Sequence, residues 1–334
     1  MSRVARPAAR EVAACNLCGA RNDVVVGTRD RDGHPLQTVL CRDCGLVWTN
    51  PRPTAAEMNA YYKTTYRADY KGQTSAPPLR KIVRGLLGAA DRRRMLRLLL
   101  RKAPRDGMSD NPPTMIDAGC GAGELVYLMR RDGVEASGIE PGIEFAGFAQ
   151  TVLRVPVQAA AVEAATVPAA SQDLVTMFHA LEHVPDPRAL LTTVRGWLKR
   201  GGQLVVEVPN IGARVQAPSH QYHYAHLYHF TGSTLGALGE AAGLRLVETS
   251  YTGDRGNVIC VFRREGDEER LPSGLDAEAA ATLASLRSHS VIRHYLSPVP
   301  FVRAARRFRR RLAENSLLRR VRTVEEALQW ADSL

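Results

Sequence analysis

No run of about 18 or more apolar residues occurs in these 334 residues, so no segment is expected to cross a membrane. The opening stretch, MSRVARPAAR, has charge but no apolar run behind it, so it is not expected to act as a secretory signal. The expected location is therefore the cytosol, where thiols stay reduced. The six cysteines then read as metal ligands or buried thiols before disulfides. Acidic residues are nearly missing from two segments. Residues 80–105 hold ten Lys and Arg against one acid, Asp91, and residues 293–322 hold ten Arg against one acid, Glu314. The net charge of +11 is thus two segments of +9 on a body of −7. Such segments suit phosphate-rich partners: nucleic acid, anionic lipid or a pyrophosphate-linked substrate. A solvated helix face is the plainer alternative.

Among what is present, the cysteines come first. Cys15 and Cys18 in CNLCGA, and Cys41 and Cys44 in CRDCGLVW, form two CxxC knuckles separated by 22 residues. Each knuckle aims two thiolates at one point, and two knuckles complete the tetrahedral shell of a structural zinc ion. Gly19 and Gly45 follow the second cysteines, where a knuckle needs free φ. All four positions are protein ligands, which leaves no open site for catalysis. The intervening DVVVGTRDRDGHPLQTVL reads as two strands around a turn, so the unit is a zinc ribbon. Thr54 with Glu57 is a capping box for a helix after the ribbon, and KGQTSAPP has linker composition.

Leu79 to Lys102 has the pattern of an amphipathic helix. TMIDAG then reads as a buried strand, GCGAG as a glycine turn, ELVYLMRRDG as a helix ending at Gly133, and VEASGIE as a second strand ending in Glu140. This β-α-β unit suits an adenosine-containing cofactor, whose ribose hydroxyls the terminal acid can hold. The G-x-G-x-G turn preceded by Asp117 fits S-adenosyl-L-methionine, which has no pyrophosphate to cradle. The stretches MIDAGCGAGELVYLM, GIEP, QDLVTMFHALEHVPDPRALL and WLKRGGQLVVEVPN resemble the successive motifs of class I S-adenosylmethionine-dependent methyltransferases, over roughly residues 110–263. The ribbon followed by CGLVWTNPRP resembles, less specifically, the front of a bacterial subgroup associated with polysaccharide and glycan assembly.

The resemblance implies a Rossmann-like α/β fold, with a mostly parallel seven-stranded sheet and an antiparallel last strand. LRLVETSYTGD and NVICVFRR supply the final antiparallel pair. The expected organisation is a ribbon with its adjoining helix at 1–70, a methyltransferase domain at 78–265 and a basic helical tail at 266–334. The resemblance also places the cofactor. Asp117, Ala118, Gly119, Cys120 and Gly121 lie under its methionine part, Glu140 holds the ribose and Pro141 borders the adenine. Val162 and Glu163 cross the adenine edge, and Phe178 and His179 line the wall beside the methyl group.

HQYHYAHLYHF, residues 220–230, holds four of the nine histidines at every third position. In the family fold this connection passes over the open end of the sheet, which favours substrate contact. On an α-helix, successive histidines at that spacing rotate by about 60°, and in a strand they alternate faces, so a simple metal site is not expected. A partial site from two of them stays open, as does an aromatic lid. His226 is the first candidate for a base taking a hydroxyl proton, and His183, beside Glu182, the second. His229 directly precedes a helix and is structural or cofactor-side, and it stands third among the catalytic candidates. The implied activity is methyl transfer to a small-molecule, glycan or lipid-linked glycan acceptor. An RNA methyltransferase is the alternative, against which stands the absence of an N-P-P-[YF] box and of a cysteine in EVPN. A non-catalytic scaffold is the alternative of another class. The tail is expected to pack on its own domain, to grip RNA, or to reach an anionic membrane surface, which would place the enzyme at the inner membrane face.

Overall fold

The computed structural model describes residues 10–54, 56–58, 77–102, 111–266 and 268–333. Along the chain, β1 (Arg10–Glu11), β2 (Asp23–Arg29), β3 (Pro35–Cys41), β4 (Val47–Thr49) and β5 (Arg52–Pro53) come first. Then follow α1 (Leu79–Lys102), β6 (Thr114–Ala118), α2 (Glu124–Arg131), β7 (Glu135–Ile139), α3 (Ile143–Thr151), β8 (Val157–Gln158) and β9 (Gln172–Phe178). The remainder holds α4 (Pro187–Trp197), β10 (Leu198–Pro209), β11 (Tyr228–His229), α5 (Gly232–Ala241), β12 (Arg245–Tyr251) and β13 (Asn257–Arg263). Four helices end the chain: α6 (Leu275–Ser288), α7 (Val291–Leu296), α8 (Val299–Leu318) and α9 (Val324–Asp332).

The seven-stranded sheet has the order β12-β13-β10-β9-β6-β7-β8. β6 pairs parallel with β7 and β9, β7 with β8, and β12 runs antiparallel to β13. Strand sequence follows position. Leu174, Val175, Met177 and Phe178 of β9 are all buried, as a parallel strand covered on both faces requires. The expected α/β fold with an antiparallel end is therefore present. So are the helix from Leu79 to Lys102, the helix after the glycine turn and the terminal strand pair.

The chain divides into two compact units, one of Met1–Met58, His179–Arg195 and Val205–Ala305, the other of Asn59–Phe178, Gly196–Leu204 and Arg306–Leu334. In the second unit, α1 buries Ile82, Val83, Leu86, Leu96 and Leu100, the stripe its periodicity predicts. Its Arg84 makes a paired 2.8 Å contact to Glu314 of α8, and its Arg93 grips Asp132 at the end of α2. α9 joins the same layer, where Asp332 accepts from Tyr127 and pairs with Arg131. The end of the tail thus packs on the second unit's own helices. Most of the expected linker at 71–78, and the helix expected beyond Met58, lie outside the described residues. The Thr54 hydroxyl does accept from the Glu57 amide.

In the first unit the ribbon hairpin of β2 and β3 forms around the predicted turn. Its sheet has the order β11-β4-β3-β2, so a strand from the histidine-rich segment completes it. Tyr228 faces Trp48 and His229 faces Val47 in that register. The Thr49 amide donates to Leu227, and the Arg31 amide to Tyr222. Tyr222 lies over Gly27, where a Cβ would meet the ring at 2.3 Å.

Candidate cofactor cradle, thiol centre and histidine cluster

The cradle belongs to the second unit. Gly119, Gly121 and Gly123 all have positive φ, which explains glycine at alternate positions of the turn. The amides of Gly119 and Cys120 donate to Ile139 at the end of β7, so the turn is tied to the strand that carries Glu140. Ala118 is buried below it, and Cys120 packs its thiol against Gly138. A Cβ on Gly121 would point into open space. Two buried carboxyl groups flank the turn. Asp117 accepts from the Thr176 hydroxyl at 2.7 Å, and burial lifts its carboxyl to about 6 against that bond and Arg92. Glu140 accepts from the amides of Gly121 at 3.0 Å and Gly142 at 2.9 Å. Pro141 is half-buried, Val162 is buried at the head of a 3₁₀ turn, and Glu163 beside it is exposed. Phe178 is buried with the Arg92 guanidinium 4.0 Å over its ring. This donor set fits a ligand with a cationic end and a diol: a buried, incompletely compensated carboxylate, an acid at the tip of the next strand, and space above a glycine.

The thiol centre belongs to the first unit. Ligand atoms of Cys15, Cys18, Cys41 and Cys44 all lie within 4.8 Å of one another, and no disulfide joins them. Cys15 and Cys44 sulfurs are 3.4 Å apart, those of Cys18 and Cys41 3.5 Å. Gly19 and Gly45 have positive φ, as the knuckles require. The thiols cannot all ionise alone. Hydrogen bonds from Cys15 and Cys44 hold Cys41 far below the ordinary thiol value. The contact with Cys41 in turn drives Cys15 above that value, and the contacts with Cys15 and Cys41 drive Cys44 above it. A divalent cation bound by four thiolates relieves that conflict, so the residues fit zinc.

The histidine cluster also belongs to the first unit. His179 follows β9 directly and adopts φ 57°, a left-handed conformation costly for a residue with a Cβ. Its Nδ1 lies 3.5 Å from Glu182 and its Nε2 3.4 Å from Glu207 of β10. Burial alone would lower its pKa, but the two carboxylates outweigh that and raise it to about 9. Asn257 of β13 donates to Glu207 at 2.7 Å and fixes that carboxylate. Glu182 is 1% exposed, and neither of its oxygens has a hydrogen bond of normal geometry. Burial opposes its charge, yet His183 and His179 hold its carboxyl below the usual range.

His183 places Nδ1 2.7 Å from the Ala225 carbonyl. A carbonyl only accepts, so Nδ1 carries a proton, and Nε2, 3.8 Å from Glu182, is the ring nitrogen that gains or loses one. The His183 and His226 rings meet edge to face at 4.9 Å, and His226 is 5.2 Å from His223 and 6.1 Å from His229. Burial, then the neighbouring histidines, push His226 well below 6.5, and burial pushes His229 to about 4. His229 is held in β11, and Thr231 two residues on caps α5 through a capping box with Thr234.

The three-residue spacing thus acts differently from the expectation for a helix or strand. The segment is a loop ending in a two-residue strand, and its turns bring His223, His226 and His229 side by side while His220 stays exposed. Glu182, His183 and His226 come within 4.8 Å of one another, a grouping that the spacing does not foretell. Sequence reasoning also misses Glu207 and Asn257. A signal for Glu207 is present: an acid inside LVVEVP, where its immediate neighbours are apolar.

Residues 88–249 match the family model of a methyltransferase domain. The ubiquinone biosynthesis O-methyltransferase of Aeromonas salmonicida is 32% identical over 157 residues, covering 41% of this chain and 64% of that protein. The protein of the same name from Cronobacter sakazakii is 33% identical over 106 residues, covering 30% of this chain and 44% of that protein. The chain therefore spans less than two thirds of the length of either relative. Among solved structures, the 1,6-didemethyltoxoflavin-N1-methyltransferase of Burkholderia thailandensis aligns with a TM-score of 0.47 and 17% identity, over 66% of this chain and 96% of that one. The matched residues 88–249 include the glycine turn, Glu140 and strands β6 to β10.

Proposed function

We propose that this chain transfers a methyl group from S-adenosyl-L-methionine to a hydroxyl of a small organic acceptor. Asp117, Gly119, Gly121 and Glu140 would hold the cofactor, with Ala118, Cys120, Pro141, Val162, Glu163 and Phe178 shaping its surroundings. When bound, it supplies a methyl group already activated on a sulfonium. The chain's own residues then have two tasks, to align the acceptor and to take its proton. The observation that carries the reading is the histidine cluster. In it the His179 imidazole is compensated by the carboxylates of Glu182 and Glu207, and His183 lies beside Glu182.

Within that cluster the order of the two candidate bases changes. His226 is a weak proton acceptor, because burial and the neighbouring rings oppose its charge. His183 has Nδ1 committed to the Ala225 carbonyl, so when neutral it accepts at Nε2, and Glu182 beside that atom stabilises the imidazolium that forms. We therefore assign proton acceptance to His183, packing against it to His226, and a supporting role to His229. His179, cationic at neutral pH, is suited to stabilise the acceptor oxygen as it loses its proton. The O-methyltransferase names of the two sequence relatives support a hydroxyl acceptor. A sugar hydroxyl, free or lipid-linked, belongs to the same chemical class. Cys15, Cys18, Cys41 and Cys44 would hold a zinc ion with a purely structural role. The ribbon with its adjoining helix (1–70), the transferase domain (78–265) and the tail (266–334) are the working divisions for truncation.

The test is a screen with labelled methyl donor against phenols, nucleotide sugars, lipid-linked glycans and RNA. Label should enter a hydroxyl compound, and His183→Ala should lower turnover by about 10²–10⁴-fold with cofactor affinity unchanged. Labelling of RNA alone, or an unchanged turnover in His183→Ala, refutes the reading. Glu140→Ala should weaken cofactor binding by roughly 0.5–3 kcal/mol; calorimetry that finds no binding to the unaltered chain leaves only the scaffold alternative.

A further inference from the structure

Helix α8 carries a surface that the proposed reaction does not use. Phe301, Ala305, Phe308 and Leu312 fall at i, i+4, i+7 and i+11, which is one stripe of an α-helix. Phe301, Phe308 and Leu312 are 67%, 62% and 52% exposed. The same helix makes its contacts on another side. Arg303 donates to the Val215 carbonyl, Arg310 lies beside Glu314, and Glu314 and Leu317 are buried. At 3.6 residues per turn, Arg303, Arg310, Glu314 and Leu317 stand about half a turn from the stripe. The apolar stripe therefore faces away from the residues that anchor the helix. Arg309 and Arg311 border it on its two sides, with Arg306 and Arg307 behind them, all exposed.

A solvent-facing row of two phenylalanines and a leucine is not an ordinary helix surface. Its border chooses the occupant. An apolar core would absorb the stripe but leave the arginines unmatched, and a nucleic acid would match the arginines but not the stripe. An anionic lipid surface takes both, with rings and aliphatic chains at the acyl boundary and guanidinium groups among phosphates. No described helix is long and apolar enough to cross a membrane, so the contact lies in the interface plane. We infer that the outer face of α8 docks the protein on an anionic lipid surface through Phe301, Phe308 and Leu312, framed by Arg306, Arg307, Arg309 and Arg311.

The experiment is flotation of the full chain with vesicles of phosphatidylcholine alone or with one third phosphatidylglycerol, at low salt and at about 0.5 M salt. Binding should appear with the anionic vesicles only and fall about tenfold or more with salt. The double variant Phe308→Asp, Leu312→Asp should lose about tenfold or more in partitioning, with its melting temperature and cofactor binding unchanged. Both side chains are exposed, so the fold does not depend on them. The inference is overturned if the unaltered chain does not bind at low salt, or if the double variant binds equally. It is also overturned if the chain is a dimer that the double variant dissociates, because a second copy then covers the stripe. RNA binding that the variant weakens as much as vesicle binding overturns it too. Flotation needs no methyl donor, so this result stands apart from the fate of the proposed reaction.

Discussion

Replacing Glu182 by glutamine removes one charge from the centre of the histidine cluster and leaves its volume in place. His179 Nδ1 lies 3.5 Å from that carboxylate, and two unit charges at this distance interact by about 5 kcal/mol at an effective dielectric of about 20. The His179 side chain is 39% exposed, so solvent screening reduces this to roughly 1.5–3 kcal/mol, or about one to two pH units. Glu207, 3.4 Å from the other ring nitrogen, supplies the remainder. His179 should therefore titrate near 9 in the unaltered chain and about one to two units lower in Glu182→Gln. The assay is a pH series of imidazole nitrogen shifts on ¹⁵N-histidine-labelled protein, with His179→Gln as the assignment control. The sign also has a consequence for stability. A histidine raised in the folded state stabilises fully below its ordinary value near 6.5, and that contribution is lost as pH rises through about 9. In Glu182→Gln the loss should begin at lower pH. A His179 midpoint that stays near 9 in the variant refutes the assignment of Glu182 as its partner.

Other perturbations probe the remaining parts. Cys15→Ser should release one zinc per chain, read by elemental analysis, and loosen the ribbon; an unaltered chain purified without zinc contradicts the thiol centre. Gly138→Ala places a Cβ 2.4 Å from the Cys120 thiol and should cost about 1–3 kcal/mol by denaturant unfolding, part of which Cys120→Gly restores. Glu314→Ala removes the double contact with Arg84. Because Arg84 is half-exposed and can return to water, the expected cost is about 1–2 kcal/mol rather than that of a sealed pair. Its carboxyl is held below 4.5, mainly by Arg84, so the unaltered chain should lose this contribution as pH falls below about 4.5, and the variant should lack that acid-dependent step.

Features written in local chemistry are legible in the sequence. Two knuckles with glycines after the second cysteine, alternate glycines before a helix, and a stripe from Leu79 to Lys102 each specify their geometry within a few residues. The carboxylates around His179 are not legible. Glu207 reaches that ring because β10 lies beside β9, and strand neighbours far apart in sequence leave no local mark. The histidine segment escapes sequence reasoning for a related reason. Its spacing has meaning only against a regular helix or strand, whereas its path is set by backbone bonds to the ribbon, at Arg31 and Thr49. The tail is legible in composition, and its division between anchoring and outward sides requires the structure.

The strand β11 that completes the ribbon sheet has a consequence for how the chain comes to be made. Thr49 and its partner His226 are separated by 177 residues, so the outer edge of β4 has no native neighbour until that much more chain has been synthesised. At roughly 5–20 residues per second, the interval is about 10–35 s. Throughout it the ribbon presents the open backbone of Val47, Trp48 and Thr49, all of which are buried once folding is complete. An unpaired apolar edge is a template for the wrong partner. Early capture of metal by the four cysteines would hold that short edge in a fixed hairpin during the wait, and zinc starvation during expression should then appear first as aggregation of newly made chains.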